Sequence, residues 1–393
     1  MSYSPVEVFK IGKIERIPGA DKIGLTKLHD FIFVVGLADY KEGDLVAYIE
    51  PDSVVPENST FNFLWANNKK ALAERAFACQ IPEKYRRIKV KRFKGVLSQG
   101  LVIPAPPGAK EGDDVGELLG ITHWNPPELE GGNSERPPRA KGGRPKTLKS
   151  WAKFLTFKVL RALGITHPKL LGGLQEDGPE MDLPIYDIEN FHRYADVFKP
   201  GEIVIATEKV DGANARYLFH NGRMWCGSHR QWKAKGDNAW WHALRQHKWA
   251  EDFCRSHPDH CLYGELYGPG IRTTKGTGPK PYGVMSNKDI GFAPFDIRYN
   301  GKWLDFDDAV SLILRFTDTI DTERWLGPLW APVVYHGPYD KALLLELAEK
   351  PSFLWPSQAI MEGIVIRPKH ERYQSPIGRV ILKAKSKAYL ERE

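Results

Sequence analysis

The stretch Glu208-Lys209-Val210-Asp211-Gly212-Ala213-Asn214 follows the apolar run Ile203-Val204-Ile205. The apolar run predicts a buried strand, and the acid and glycine behind the lysine predict a turn. A strand that ends in Lys-x-Asp-Gly aims an amine into a pocket, while the glycine lets backbone approach a phosphate. Lys209 is therefore a candidate nucleophile. The same short pattern also arises by chance at turns, so the rest of the chain has to decide.

Five further blocks follow in order. They are Gly227-Ser228-His229-Arg230, then Tyr263-Gly264-Glu265-Leu266-Tyr267-Gly268, then Phe292-Ala293-Pro294-Phe295-Asp296-Ile297. After these come Glu362-Gly363-Ile364-Val365-Ile366 and Leu382-Lys383-Ala384-Lys385. In this order they resemble the blocks of the covalent nucleotidyltransferases, the superfamily of polynucleotide ligases and RNA capping enzymes. The resemblance implies that Lys209 takes the nucleotide covalently, with Glu208, Val210 and Gly212 lining the nucleotide site. Lys383 and Lys385 would lower the amine's pKa and neutralise charge on the α-phosphate. Glu265 would contact the ribose hydroxyls and Glu362 would organise the metal and the reaction steps. Phe295 would stack on adenine with Asp296 completing the pocket, and Arg230 would pair a phosphate. Asn214 matches an asparagine used for phosphate contact in RNA ligases; Asp211, often His in that group, departs from the pattern.

Each block also has a plainer reading. Lysines at 383 and 385 suit an edge strand kept from aggregating. Phe295 in an alternating strand suits a core, and a Glu-Gly pair suits a turn.

Composition sets the frame. The chain has 393 residues, 42% of them apolar, which is enough for two domains with packed cores. No apolar run has the length of a membrane span, and Met1-Ser2-Tyr3-Ser4-Pro5 starts no signal peptide. Four cysteines form no repeated framework, which fits a reducing cytoplasm. A net charge of +7 and a pI near 9.0 favour a polyanionic partner.

Three regions are expected. Residues 1–125 carry short strands at Val6-Glu7-Val8-Phe9-Lys10-Ile11, at 31–35, 45–49, 87–90 and 100–103, and suggest an OB-like β-barrel. Within it, residues 84–95 interleave basic and aromatic residues, a pattern for phosphates and bases or for a solvated strand face. Residues 126–180 form a Pro/Gly-rich basic linker in which Leu148, Trp151, Leu155, Val159 and Ala162 keep helical spacing. Residues 181–393 mix strands and helices without βαβ regularity, so the class is α+β with antiparallel sheets flanked by helices. Tight hairpins are expected at Asn221-Gly222 and Asn300-Gly301, and helices at 239–255, 305–314 and 340–349. Cys254, His257, His260 and Cys261 crowd together, yet their spacing matches no familiar zinc site.

DNA ligases and capping enzymes usually carry their OB domain after the Lys-x-Lys block, whereas here the candidate barrel comes first. That layout is similar to the Deinococcus-type RNA ligases. Pro18-Gly19-Ala20-Asp21-Lys22-Ile23, Gly95-Val96-Leu97-Ser98-Gln99-Gly100-Leu101 and Ile185-Tyr186-Asp187-Ile188-Glu189-Asn190 also resemble that family. It implies ATP and Mg2+ (or Mn2+), the ion held near Glu265 and Glu362 largely through water. It implies sealing of nicked RNA or RNA/DNA duplexes with an RNA 3′-hydroxyl, with no membrane span and no obligate protein partner. A GTP-dependent capping-type enzyme and an inactive RNA-binding protein are the alternatives.

Overall fold

The computed structural model describes residues 5–124, 175–236, 238–268, 271, 289–316, 329–355, 360–375 and 377–392. The expected linker helix and the basic loop bearing Arg272, Lys275 and Lys280 lie outside them. The chain divides into two units: Met1–Pro126 with Asn190–Ala195 and Lys385–Glu393, and Pro127–Glu189 with Asp196–Ala384.

The first unit is built from short strands: β1 (Val6–Lys10), β2 (Ile23–Leu28), β3 (Phe31–Gly36), β4 (Leu45–Ile49), β5 (Lys91–Phe93), β6 (Val96–Ser98) and β7 (Leu101–Pro104). One sheet runs β1-β4-β7, a second joins Glu15–Arg16 to β2 and β3, and β5-β6 is a separate hairpin. Along β3 the rings of Phe31 and Phe33 and the side chain of Val35 turn inward, the period-2 alternation of a half-buried strand. Tyr48 lies against both rings and donates its hydroxyl to the Gln99 carbonyl at 2.6 Å, so its polar end is satisfied inside the core.

The strand expected at 87–90 is displaced. A helical turn occupies Glu83–Arg86, and the strand begins only at Lys91. The guanidinium of Arg86 donates to the carbonyls of Ile81 and Val55, and that of Arg87 pairs with Asp52, which folds the segment onto the unit instead of extending it. The basic stretch is thereby partly spent: Lys84 pairs with Glu74 and Arg92 with Glu391, while Lys91, Phe93 and Lys94 stay exposed on the hairpin.

The second unit holds two antiparallel sheets. Its strands are β8 (Ile203–Glu208), β9 (Ala213–His220), β10 (Arg223–Gly227), β11 (Cys261–Tyr267), β12 (Gly291–Tyr299), β13 (Val333–Pro338), β14 (Gly363–Pro368) and β15 (Leu382–Lys385). A seven-stranded sheet is ordered Gln175–Glu176, Trp232–Lys233, β10, β9, β11, β12, Lys302–Trp303. A five-stranded sheet is ordered Glu189–Asn190, β15, β14, β8, β13. Both Asn-Gly hairpins form, with positive φ at Asn221 (49°), Gly222 (71°), Asn300 (47°) and Gly301 (73°), the backbone that two-residue turns need. The chain therefore has the expected class, an N-terminal β module followed by an α+β domain of antiparallel sheets.

One expected helix is two. α1 (Ala239–Gln246) and α2 (Lys248–Ser256) meet at His247, whose ring is buried and bonds the Ile290 carbonyl at 2.8 Å. Burial pushes that imidazole down to about 4, so it is neutral and structural. α3 (Phe306–Leu314) and α4 (Lys341–Ala348) match expectation, the latter capped by the Asp340 side chain on the Leu343 N–H. α1, α2 and α3 cover the seven-stranded sheet around Trp240, Phe253 and Phe292. Among the described residues no helix is long and apolar enough to cross a membrane.

Candidate active site

β8 runs between β13 and β14 with Val204, Ile205 and Ala206 fully buried, so its end is held on both sides. The Lys209 N–H donates to the Gly363 carbonyl at 2.8 Å, which fixes where the side chain leaves the sheet. The Lys209 amine lies 2.7 Å from Glu362 Oε1. The lysine side chain keeps 24% of its surface open while the Glu362 side chain keeps 8%. The amine therefore faces an opening, and its partner lies deeper.

Glu265 on β11 completes this group. Its carboxyl is pushed up to about 8, chiefly by burial; the Lys209 cation draws it back, the Glu362 charge pushes it further, and a hydrogen bond from the Gly212 N–H opposes. Two carboxylates near one amine do not ionise independently. Gly212 is needed for packing as well: a Cβ there would collide with the Leu266 carbonyl oxygen, so the turn can lie flat on β11 only without a side chain. Asn214, opposite Glu265 in the β9–β11 pairing, leaves its buried Oδ1 without a hydrogen-bond partner. An orphaned amide is costly unless something enters to meet it.

A second group gathers around Asp187. The His229 Nε2 lies 3.3 Å from Asp187 Oδ1. Its hydrogen bond, opposed by burial and helped by the charges of Lys383 and Arg230, holds the Asp187 carboxyl below the usual range. Arg230 and Lys383, both expected at phosphates, thus lie near one carboxylate.

Phe295 is half-buried, its ring 4.8 Å from that of Tyr186. The β11–β12 pairing skips it: Tyr263 pairs with Asp296 and Gly264 with Pro294. A bulge re-aims the extra side chain, so the alternation read from the sequence breaks at this residue.

Other expected residues serve the protein itself. Asp296 is fully buried and accepts from the Tyr186 hydroxyl at 2.5 Å, with Arg379 at 2.7 Å and Arg367 at 3.3 Å. The same Arg367 donates to the Phe295 carbonyl at 2.7 Å, so Asp296 positions Phe295 through the arginine behind it. Val210 packs with Tyr267, Ala293 and Leu354. Glu208 turns its carboxylate to Ser352 and to the N–H groups of Phe353 and Leu354. Asp211 is half-buried in the turn after Val210. Lys385 groups with the first unit, its amine 3.2 Å from Asp52 Oδ2. Burial works against the Asp52 carboxylate, yet the Lys385 and Arg87 charges hold it well below the carboxylate range. Lys385 is thus committed to Asp52.

Cys254, His257, His260 and Cys261 are otherwise engaged. No group of three or more His, Cys, Asp or Glu among the described residues is arranged to hold an ion. The His257 ring stacks on Phe253, and the His260 ring stacks on Tyr299 with centroids 3.9 Å apart. Both thiols are sealed in the core, and burial pushes that of Cys261 up to about 12.

Sequence reasoning gave no role to Arg367, Glu371 and Arg379. One signal was present: an arginine closes the apolar run Ile364-Val365-Ile366, and a charge entering a core demands a partner.

Comparison with known proteins fits this geometry. Residues 202–385 match the RNA ligase family model, and residues 6–105 match an OB-fold domain model. The fold is similar to that of a Naegleria gruberi RNA ligase mutant with ATP and Mn, at TM-score 0.69 and 21% identity over 99% of this chain and 98% of that one. It is also similar to the Naegleria gruberi RNA ligase with PPi, at TM-score 0.67 and 22% identity over 99% and 98%. A mutant of the same ligase with AMP and Mn gives TM-score 0.68 at 21% identity, again over 99% and 98%. No curated protein matches the chain. An OB-fold domain model and an RNA ligase model thus match successive parts of the chain, and the whole chain shares the fold of the Naegleria gruberi structures.

Proposed function

We propose that this protein is an RNA ligase that uses ATP and joins a 3′-hydroxyl to a 5′-phosphate through a lysyl-AMP intermediate on Lys209. The observation that carries the reading is the Lys209 amine at the end of β8, 2.7 Å from Glu362 and close enough to Glu265 to act on its charge. The Lys209 nitrogen attacks the α-phosphorus of ATP. A P–N bond forms, the bond to the bridging oxygen breaks, and pyrophosphate leaves with the electron pair. The amine must be unprotonated to attack the phosphorus. Glu362 therefore holds the amine in place and must release it before attack. Arg230 and Lys383 are the cations that would meet the triphosphate, Arg230 with a guanidinium fork suited to phosphate. Asn214 would offer its Nδ2 hydrogens to a phosphate, while its unpartnered Oδ1, an acceptor, suits a hydroxyl donor.

In the second step an oxygen of the RNA 5′-phosphate attacks the AMP phosphorus, and the P–N bond breaks to return Lys209. In the third, the 3′-hydroxyl attacks the activated 5′-phosphate and AMP leaves. Glu265 and Glu362 would hold a magnesium or manganese ion, since such ions take carboxylate, water and phosphate oxygens, and it would supply positive charge beside the phosphates. That the Naegleria gruberi structures include ATP with Mn and AMP with Mn supports this choice of nucleotide and ion class. The substrate we assign is a nicked RNA or RNA/DNA duplex with ribose at the 3′-hydroxyl terminus.

The test is incubation with ATP labelled at the α-phosphate and a divalent ion. The wild type becomes labelled, and Lys209→Ala loses labelling by at least about a thousandfold. Labelling by GTP instead assigns the chain to capping-type chemistry. RNA binding with no labelling leaves a binding protein only.

A further inference from the structure

The turn after β10 carries His229 and Arg230 between Ser228 and Gln231. The Ser228 N–H donates to the Gln231 carbonyl at 2.8 Å, and the Gln231 N–H donates back to the Ser228 hydroxyl at 3.3 Å. Bonds across both ends hold the two residues at the tip in place. Arg230 is a cation for phosphate, and His229 is its neighbour in the chain.

The imidazole is anchored at one nitrogen. Its Nε2 lies 3.2 Å from the Tyr186 carbonyl oxygen and 3.3 Å from Asp187 Oδ1. A carbonyl can only accept, so Nε2 carries the hydrogen, and in the neutral ring the lone pair sits on Nδ1. Among the described residues none bonds Nδ1, and the side chain keeps 31% of its surface open. Tyr186 is itself held: its hydroxyl donates to Asp296 at 2.5 Å, and its ring lies 4.8 Å from that of Phe295. The residue that fixes the imidazole therefore also borders the ring expected beneath adenine. Three charged groups surround this arrangement. They are Asp187 at the anchored nitrogen, Arg230 in the same turn and Lys383 on β15, and all of them act on one another through Asp187. A carboxylate oriented towards one nitrogen of an imidazole, with the other nitrogen open, is the arrangement of a base that takes a proton.

We propose that His229 is the general base of the joining step, taking the proton of the RNA 3′-hydroxyl on Nδ1. This rests on the ligase reading above. As the hydroxyl oxygen attacks the activated 5′-phosphorus, its proton passes to Nδ1 and the new P–O bond forms. AMP leaves with the electron pair of the broken bond, and the imidazolium afterwards returns its proton to water. The phosphate under attack is the one that Arg230 and Lys383 would grip, so the base stands in the same turn as a cation that holds its target. Tyr186 keeps the ring in place, and Asp187 meets the charge it gains.

The experiment is single-turnover sealing of a nicked RNA duplex whose 5′-phosphate already carries AMP. The full chain is in excess, with a divalent ion and no ATP, over a range of pH. His229→Gln keeps an N–H for the Tyr186 carbonyl but offers no basic nitrogen, so it separates anchoring from proton transfer. It slows sealing about a hundredfold at neutral pH and removes the fall in rate that the wild type shows towards acid pH. Labelling of Lys209 by ATP falls in it by less than about fivefold, which also shows that the variant folds. His229→Ala seals as slowly as the glutamine variant. If glutamine instead seals at nearly the wild-type rate while alanine does not, the ring only fastens the turn and the proposal is overturned. Equal losses of labelling and sealing, or an acid limb that persists in the glutamine variant, overturn it as well. Failure of the ligase reading shows separately, as a wild type that neither takes label from ATP nor seals the adenylylated nick.

Discussion

Two groups of buried charge stand in the second unit, and they are built to opposite ends. Around Asp296, Tyr186, Arg367 and Arg379 face the carboxylate and Glu371 takes the rest of Arg379 at 2.7 and 2.6 Å, with Arg367 Nη1 in ion-pair range but without a hydrogen bond. Around Lys209, the amine lies against Glu362, the nearby Glu265 carboxyl is pushed up to about 8, and an amide oxygen on the next strand has no hydrogen-bond partner. The closed network holds β12 and β14 in place. The open one is left for something that has yet to bind. Charge balance, more than burial, separates scaffold from site here.

Breaking the closed network gives the largest effect on stability. Asp296→Ala strands two buried guanidiniums and should cost about 3–5 kcal/mol in urea unfolding. Lys209→Ala, in the open group, should cost less, about 1–2 kcal/mol, because it strands one carboxylate beside an opening and not two buried guanidiniums. Equal costs would erase the distinction between the two groups.

The open group also predicts a slope with pH. Glu265 has its carboxyl raised in the folded protein from 4.5 to about 8, so the unfolded chain gives up that proton first. Between those values the folded state binds more protons, and stability must fall as pH rises through the window. Without nucleotide or metal, the melting temperature of the wild type should decline from pH 5 to pH 8, and Glu265→Gln should flatten the decline. A variant that keeps the wild-type slope would place the titration elsewhere.

The smallest effect concerns Asp187, whose side chain is 65% exposed. It competes with phosphate for Arg230 and Lys383, so Asp187→Asn should lower KM for ATP by about two- to fivefold at low salt. The gain should shrink as salt screens the charges. A rise in KM would mean that Asp187 orients His229 and does not merely compete.

The sequence revealed one part of this and hid another. Block order, the β8 run into Lys209 and both Asn-Gly hairpins were legible because each depends on residues close in the chain. The bulge at Phe295 was not, because it exists only against β11. Nor was the break at His247, which depends on the Ile290 carbonyl more than forty residues away. Asp296 and Glu208 looked like pocket residues beside a motif; their partners, Arg379 for one and the Ser352 hydroxyl with the N–H groups of Phe353 and Leu354 for the other, are tertiary. Lys383 and Lys385 share a face by strand period, yet Lys385 has Asp52 for a partner. A pattern of charges gives no sign of which of them will be cancelled.

The central claim is that the Lys209 nitrogen carries AMP. Fragmentation mass spectrometry of peptides from protein treated with ATP and a divalent ion, kept at neutral to alkaline pH to preserve the P–N bond, tests it most directly. The account predicts one adenylylated peptide with the added mass on Lys209. AMP found on another residue, or no adduct while RNA is still sealed, would contradict it.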